Sequence, residues 1–136
     1  MSMSIEVLIS EQDIRDRIQA MADALSEKYA GEEVLLVGIL NGSVFFLTEL
    51  AQKISIPVEI DFMAASSYGA GTESTGRVLI TKDLERSIKG VHVVIVEDIV
   101  DTGQTLHLLT EMLLERQPAS LEVAVLLDKP ARRKVC

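Results

Sequence analysis

Three short, predominantly apolar runs constrain this 136-residue chain most: the continuous Val34–Leu40 (VLLVGIL), then Val91–Val96 (VHVVIV) and Leu121–Leu127 (LEVAVLL). Runs of this length, without a polar alternation, are the pattern of strands buried on both faces. The segments between them follow a different period. Ser10 and Asp13 read as a helix start, and Ile14, Ile18, Met21, Leu25 and Tyr29 then recur at helical spacing until Gly31. Ser43 can cap a helix running to about Lys53, and another reads from Gln104 to about Gln117, where Pro118 stops it. Pro57 precedes a strand-like run over Val58–Ala64, and Arg77–Thr81 forms a further short strand. Apolar strands alternating with helices imply an α/β fold of three layers, a parallel sheet covered on both sides, as a single domain over 1–136. The Ser-, Gly- and Thr-rich stretch from Ala65 to Gly76 is expected to be a mobile connection.

Ligands of such sheets gather at the carboxyl ends of the strands. Three polar clusters fall there: Asn41-Gly42-Ser43, Glu97 to Thr105, and Asp128-Lys129. In the second, a strand ends in the adjacent carboxylates Glu97 and Asp98, with Asp101 shortly after and Thr102-Gly103 opening a helix. Free N–H groups and the dipole at a helix start favour an anion, and Gly103 lets the backbone come close to it. Thr102 and Thr105 add hydroxyl donors. The carboxylates cannot take phosphate; they suit ribose hydroxyls or Mg²⁺. Together these groups describe a sugar-phosphate site. The bland alternative, acids that cap the helix and solvate a loop, explains one of them more readily than three.

Charge and cysteine content narrow the setting. Thirteen basic residues against 21 acidic ones give a net charge of -8, which disfavours nucleic acid and anionic membrane as partners. Cys136 is the sole cysteine, so an intrachain disulfide and a cysteine zinc site are both excluded. No apolar run reaches the roughly 20 residues needed to span a bilayer, and Met1–Glu6 lacks the basic start of a secretory signal. A cytoplasmic protein is expected. Gly69-Ala70-Gly71 is a poor dinucleotide fingerprint, and no GxxxxGK[ST] motif is present. His92 and His107 read as surface or packing residues, and Arg132 and Lys134 as a solvated basic tail.

VVIVEDIVDTGQT (Val93–Thr105) resembles the phosphoribosyl-pyrophosphate (PRPP) signature of type I phosphoribosyltransferases, and an aspartate at 101 is similar to the 6-oxopurine branch. LNGSVFF (Leu40–Phe46) resembles that family's pyrophosphate loop, SSYG (Ser66–Gly69) its catalytic loop, and LLDKPARR (Leu126–Arg133) its purine-lysine segment. The likeness is strongest to bacterial hypoxanthine phosphoribosyltransferases. It implies the three-layer type I fold and Mg²⁺-dependent transfer of phosphoribose from PRPP to hypoxanthine or guanine, with the chain a homodimer or homotetramer.

By position, the resemblance makes Asp101 the general base near purine N7, and Asp101, Thr102, Gly103, Gln104 and Thr105 the cradle of the 5′-phosphate. Glu97 and Asp98 hold ribose hydroxyls and Mg²⁺. Leu40 and Asn41 share a cis peptide that turns the Asn41 and Gly42 N–H groups toward pyrophosphate. Ser67 and Tyr68 close over the ribose, Lys129 donates to the purine 6-oxo group, and Arg133 contacts pyrophosphate.

Two departures stand out. Asn41 replaces the Lys or Arg frequent in relatives. The family's purine-stacking aromatic, its Val/Ile-Pro-Asp stretch, a metal-binding aspartate and another arginine follow the point where this sequence stops. The expectation is therefore a family domain truncated at its C-terminus, with Leu121–Leu127 missing a neighbour. A non-catalytic PRPP- or nucleotide-binding regulator and an inactive fragment are the alternatives.

Overall fold

Five strands and three helices follow one another in a computed structural model that describes residues 11–40, 42–67, 78–100 and 104–128. Helix α1 (Glu11–Lys28) leads into β1 (Val34–Ile39), α2 (Val44–Lys53), β2 (Val58–Ser67) and β3 (Val78–Lys82). Strand β4 (His92–Val100), α3 (Gln104–Leu114) and β5 (Ser120–Asp128) complete the order.

The sheet order is β3-β2-β1-β4-β5. Strands β2, β1, β4 and β5 run parallel, whereas β3 returns antiparallel along β2 with a register shift at Ala64/Ala65. The expected parallel sheet thus carries one antiparallel edge, a common addition to such sheets. All six residues of β1 are buried, as its continuous apolar run requires.

Alternate residues of the central strands feed two cores. Val34, Leu36, Val94 and Val96 pack with Ile18, Ala22, Phe46, Leu47 and Leu50 beneath α1 and α2. The stripe of Ile14, Ile18, Met21, Leu25 and Tyr29 lies on that side, as its spacing predicts. Leu35, Val37, Val93 and Ile95 pack with Leu109 and Leu113 of α3 on the other. The three layers expected from the sequence are present.

Gly38 sets how closely α2 approaches the sheet. A Cβ there would lie 2.8 Å from Leu47 Cδ1 and 2.8 Å from Phe62 Cε1, so only a bare Cα leaves room for helix α2 and the Phe62 ring. At the end of α1, Gly31 takes φ +83° and turns the chain toward β1. His92 joins a packed polar group rather than standing alone: its Nδ1 lies 2.8 Å from Ser120 Oγ and its ring 5.1 Å from that of Tyr29. His107 is exposed beside Glu111.

Candidate active site

The connections leaving β1 and β4 diverge. From β1 the chain passes to α2 on one face of the sheet; from β4 it passes to α3 on the other. Neighbouring parallel strands whose helices leave on opposite faces open a crevice at their carboxyl ends. The ladder shows where it opens. Gly38, opposite Val96, is the final β1 residue paired with β4. Beyond it, Ile39 pairs with Met63, and the Leu40 N–H donates to the Met63 carbonyl at 2.8 Å, so the chain stays with β2. Strand β4 instead continues along β5 as far as Val100, opposite Asp128.

Two clusters far apart in sequence meet across this crevice. Gly42 sits against Asp98 so closely that a Cβ on it would lie 3.1 Å from Oδ1 and 3.2 Å from Oδ2. Glu97 and Asp98 are both half-buried, while Gly42 is exposed. The Asp98 N–H donates to Glu97 Oε1 at 3.2 Å. Burial first, then the hydrogen bond and negative charge of Asp98, push the Glu97 carboxyl up to about 7. Two adjacent, half-buried carboxylates are a donor set that a divalent cation or ribose hydroxyls would relieve. Among the described residues no group of three or more His, Cys, Asp or Glu gathers as a metal cage.

Ser43 behaves differently from its expected role as a helix cap. It is wholly buried, and its backbone lies in the right-handed helical region (φ -83°, ψ 0°) with no side-chain bond to the first turn of α2. A capping side chain normally hangs from extended backbone. Here the hydroxyl donates backward to the Ile39 carbonyl at 2.7 Å. The spacing of four residues between Ile39 and Ser43 is the signal that permits this bond.

Helix α3 starts four residues after β4 ends, so Gln104 and Thr105 occupy its first turn on the acidic side of the crevice. Ser67 is the last residue of β2. Asn41, Tyr68, Asp101, Thr102, Gly103, Lys129 and Arg133 lie outside the described residues, as does most of the Ala65–Gly76 stretch expected to be mobile; its first three residues, Ala65–Ser67, instead pair with β3 as the end of β2. On the outer side of β5, Arg17 of α1 donates to the Leu126 carbonyl at 3.2 Å.

A cavity of about 510 Å³ lies at the opposite, amino ends of the strands, lined by Glu32, Glu59, Arg86 and His92 among others. Within it Arg86 pairs with Glu59, and His92 Nε2 lies 3.4 Å from Glu32 Oε1. It is remote from the crevice. No described helix is long and apolar enough to cross a membrane.

The phosphoribosyl transferase domain family matches residues 6–135. A hypoxanthine phosphoribosyltransferase of Salmonella typhimurium is 46% identical over 99% of this chain and 77% of its own length. A hypoxanthine-guanine phosphoribosyltransferase of Staphylococcus epidermidis is 50% identical over 94% of this chain and 72% of its own. The crystal structure of a hypoxanthine phosphoribosyltransferase from Staphylococcus aureus superimposes with a TM-score of 0.90 at 47% identity, covering 96% of this chain and 71% of that one. The chain belongs to the phosphoribosyltransferase family, in its hypoxanthine and hypoxanthine-guanine branch.

Proposed function

We propose that the chain transfers the 5-phosphoribosyl group of PRPP to hypoxanthine or guanine, giving IMP or GMP and pyrophosphate in purine salvage. The observation that carries this reading is the meeting of Gly42 with Asp98 at the crevice between β1 and β4. It brings an amide-bearing loop against a pair of carboxylates, as a phosphorylated sugar with a pyrophosphate arm demands.

The reaction is substitution at the anomeric carbon of ribose. The purine nitrogen attacks, the C–O bond to pyrophosphate breaks, and positive charge spreads over the ring in the transition state. Glu97 and Asp98 accept hydrogen bonds from the ribose hydroxyls and so fix the ring in the crevice. The same pair would hold Mg²⁺, which when bound supplies positive charge beside the departing pyrophosphate. Asn41 and Gly42 offer backbone N–H groups to pyrophosphate, with Arg133 as a further contact; Leu40 anchors their loop on β2. Residues Asp101 to Thr105, including Thr102, Gly103 and Gln104, receive the 5′-phosphate at the start of α3.

Asp101 takes the proton that the base releases as positive charge builds on it. Lys129 donates to the 6-oxo group, which selects hypoxanthine and guanine over adenine, whose amino group would leave the lysine poorly paired. Ser67 and Tyr68 close over the ribose and exclude water that would otherwise capture the activated sugar.

The chain works in the cytoplasm as a homo-oligomer on this reading. Phe45, Ile60 and Leu79 support the latter: they are 86%, 47% and 48% exposed, and all three lie on the sheet side that carries α1 and α2. Exposed large apolar side chains on one side of a sheet suit a contact surface. A spectrophotometric assay with hypoxanthine, PRPP and Mg²⁺ tests the activity. IMP forming in proportion to PRPP consumed supports it, and PRPP binding without turnover would point to a regulator or an inactive fragment instead.

A further inference from the structure

We propose that Ser43 is a positioning residue for the pyrophosphate half of the site, acting through the Leu40–Gly42 loop and leaving the 5′-phosphate half untouched. The inference rests on the assignment of that loop to pyrophosphate made above.

Ser43 and Asp61 are the buried polar side chains among the described residues, and Ser43 is the one with no exposure at all. A hydroxyl removed from water is costly unless it is bonded, so its one strong partner matters. That partner is the Ile39 carbonyl at 2.7 Å, which also receives the Ser43 N–H at 3.4 Å. Ile39 is the last residue of β1, and Ser43 directly precedes α2. The two bonds therefore close the chain across the segment that contains Leu40, Asn41 and Gly42. The serine forgoes the bond to the first turn of α2 that its position would favour.

Closure has a directional consequence. The near end of the loop is fixed by the Leu40 bond to Met63, and the far end by the Ser43 hydroxyl. Gly42 lies between them, against the Asp98 carboxylate. Cutting the far tie lets Gly42 move relative to Asp98 while β4 and α3 stay packed through Val93, Ile95, Leu109 and Leu113. Groups that bind pyrophosphate shift; groups at the start of α3 do not.

The test compares ligands that share only part of the site. In Ser43→Ala, the inhibition constant for pyrophosphate and the KM for PRPP rise about five- to tenfold, the loss expected for one buried hydrogen bond. The affinity for IMP, which has a 5′-phosphate but no pyrophosphate, stays at the wild-type value. Ser43→Cys keeps nearly the same volume with a weak donor, and gives the same pattern should the alanine variant fold poorly. Unchanged pyrophosphate inhibition, or an equal loss for pyrophosphate and IMP in both variants, overturns the role of Ser43. Gly42→Val separates this from the underlying assignment. If Gly42→Val weakens pyrophosphate and Ser43→Ala does not, only the serine's role falls. If Gly42→Val leaves pyrophosphate binding intact, the loop is not the pyrophosphate site and both ideas fall together.

Discussion

Gly42 faces the Asp98 carboxylate at close range: a methyl group on Gly42 would lie 3.1 Å from the nearer carboxylate oxygen, tighter than an ordinary contact. The loop after β1 and the acidic end of β4 therefore form one surface. Gly42→Val pushes the carboxylate out of place, and its KM for PRPP is expected to rise at least about tenfold, as a misplaced binding group allows. The KM for hypoxanthine should move far less. Because Gly42 is exposed, the melting temperature should change little, which separates a site effect from a folding effect.

Glu97 offers a pH signature. Its folded-state carboxyl titrates at about 7, against an ordinary value of 4.5. Protonated Glu97 thus contributes stability that is fully present below 4.5 and is lost as pH rises through about 7. Partial solvent exposure limits the size to about 1 kcal/mol. Glu97→Gln should be more stable than wild type at pH 8 and equal to it near pH 4.5, in urea titrations with a chelator present. Carboxyl NMR should also show the Glu97 midpoint falling when Mg²⁺ is added, because a nearby cation favours the ionised form. A midpoint that ignores Mg²⁺ would argue against this pair as its ligands.

Asp83 behaves in the opposite sense. Two bonds from Arg116, at 3.0 and 2.9 Å, hold its carboxyl below the usual range and tie the β3–β4 connection to the end of α3. A depressed carboxyl contributes stability above its unfolded value of 3.8 that is lost as pH falls through the folded one. The pair is exposed, so Asp83→Asn should cost no more than about 1 kcal/mol at pH 7. The difference from wild type should shrink below pH 4 and in high salt.

Gly38 tests the packing beneath α2. Gly38→Ala places a methyl group into Leu47 and Phe62, and overpacking of this kind costs about 1–3 kcal/mol. Thermal denaturation should register it. Pairing the change with Leu47→Ala should recover part of the loss, whereas purely additive losses would mean that the two positions do not share the strain.

The legible parts of this fold were those governed by short-range pattern. The apolar runs located β1, β4 and β5, and the period of Ile14 to Tyr29 located the buried side of α1. Boundaries failed where long-range pairing or backbone geometry took over. Strand β4 extends past the polar Glu97-Asp98 pair to Val100 because β5 runs beside it. Helix α3 ends at Leu114 instead of Gln117, since the Arg116 and Gln117 N–H groups tighten onto carbonyls three residues back and Gln117 takes φ 63°. The antiparallel direction of β3 leaves no mark in composition.

The site was legible as three clusters and one strong motif. The contact between Gly42 and Asp98 was not, because it depends on β1 and β4 being neighbours, which no local pattern encodes. The inward turn of Ser43 was hidden by its helix-capping residue type. Fold recognition thus outran site geometry here, and the geometry supplies the residues whose alteration is informative.

The most direct test of a PRPP site at this crevice is calorimetric titration of PRPP with Mg²⁺ into the wild-type chain and into Glu97→Gln/Asp98→Asn. The expected result is one PRPP per chain for the wild type and an affinity at least about tenfold weaker in the variant, the scale of lost charge-assisted bonds. Equal affinity for both proteins would contradict the account.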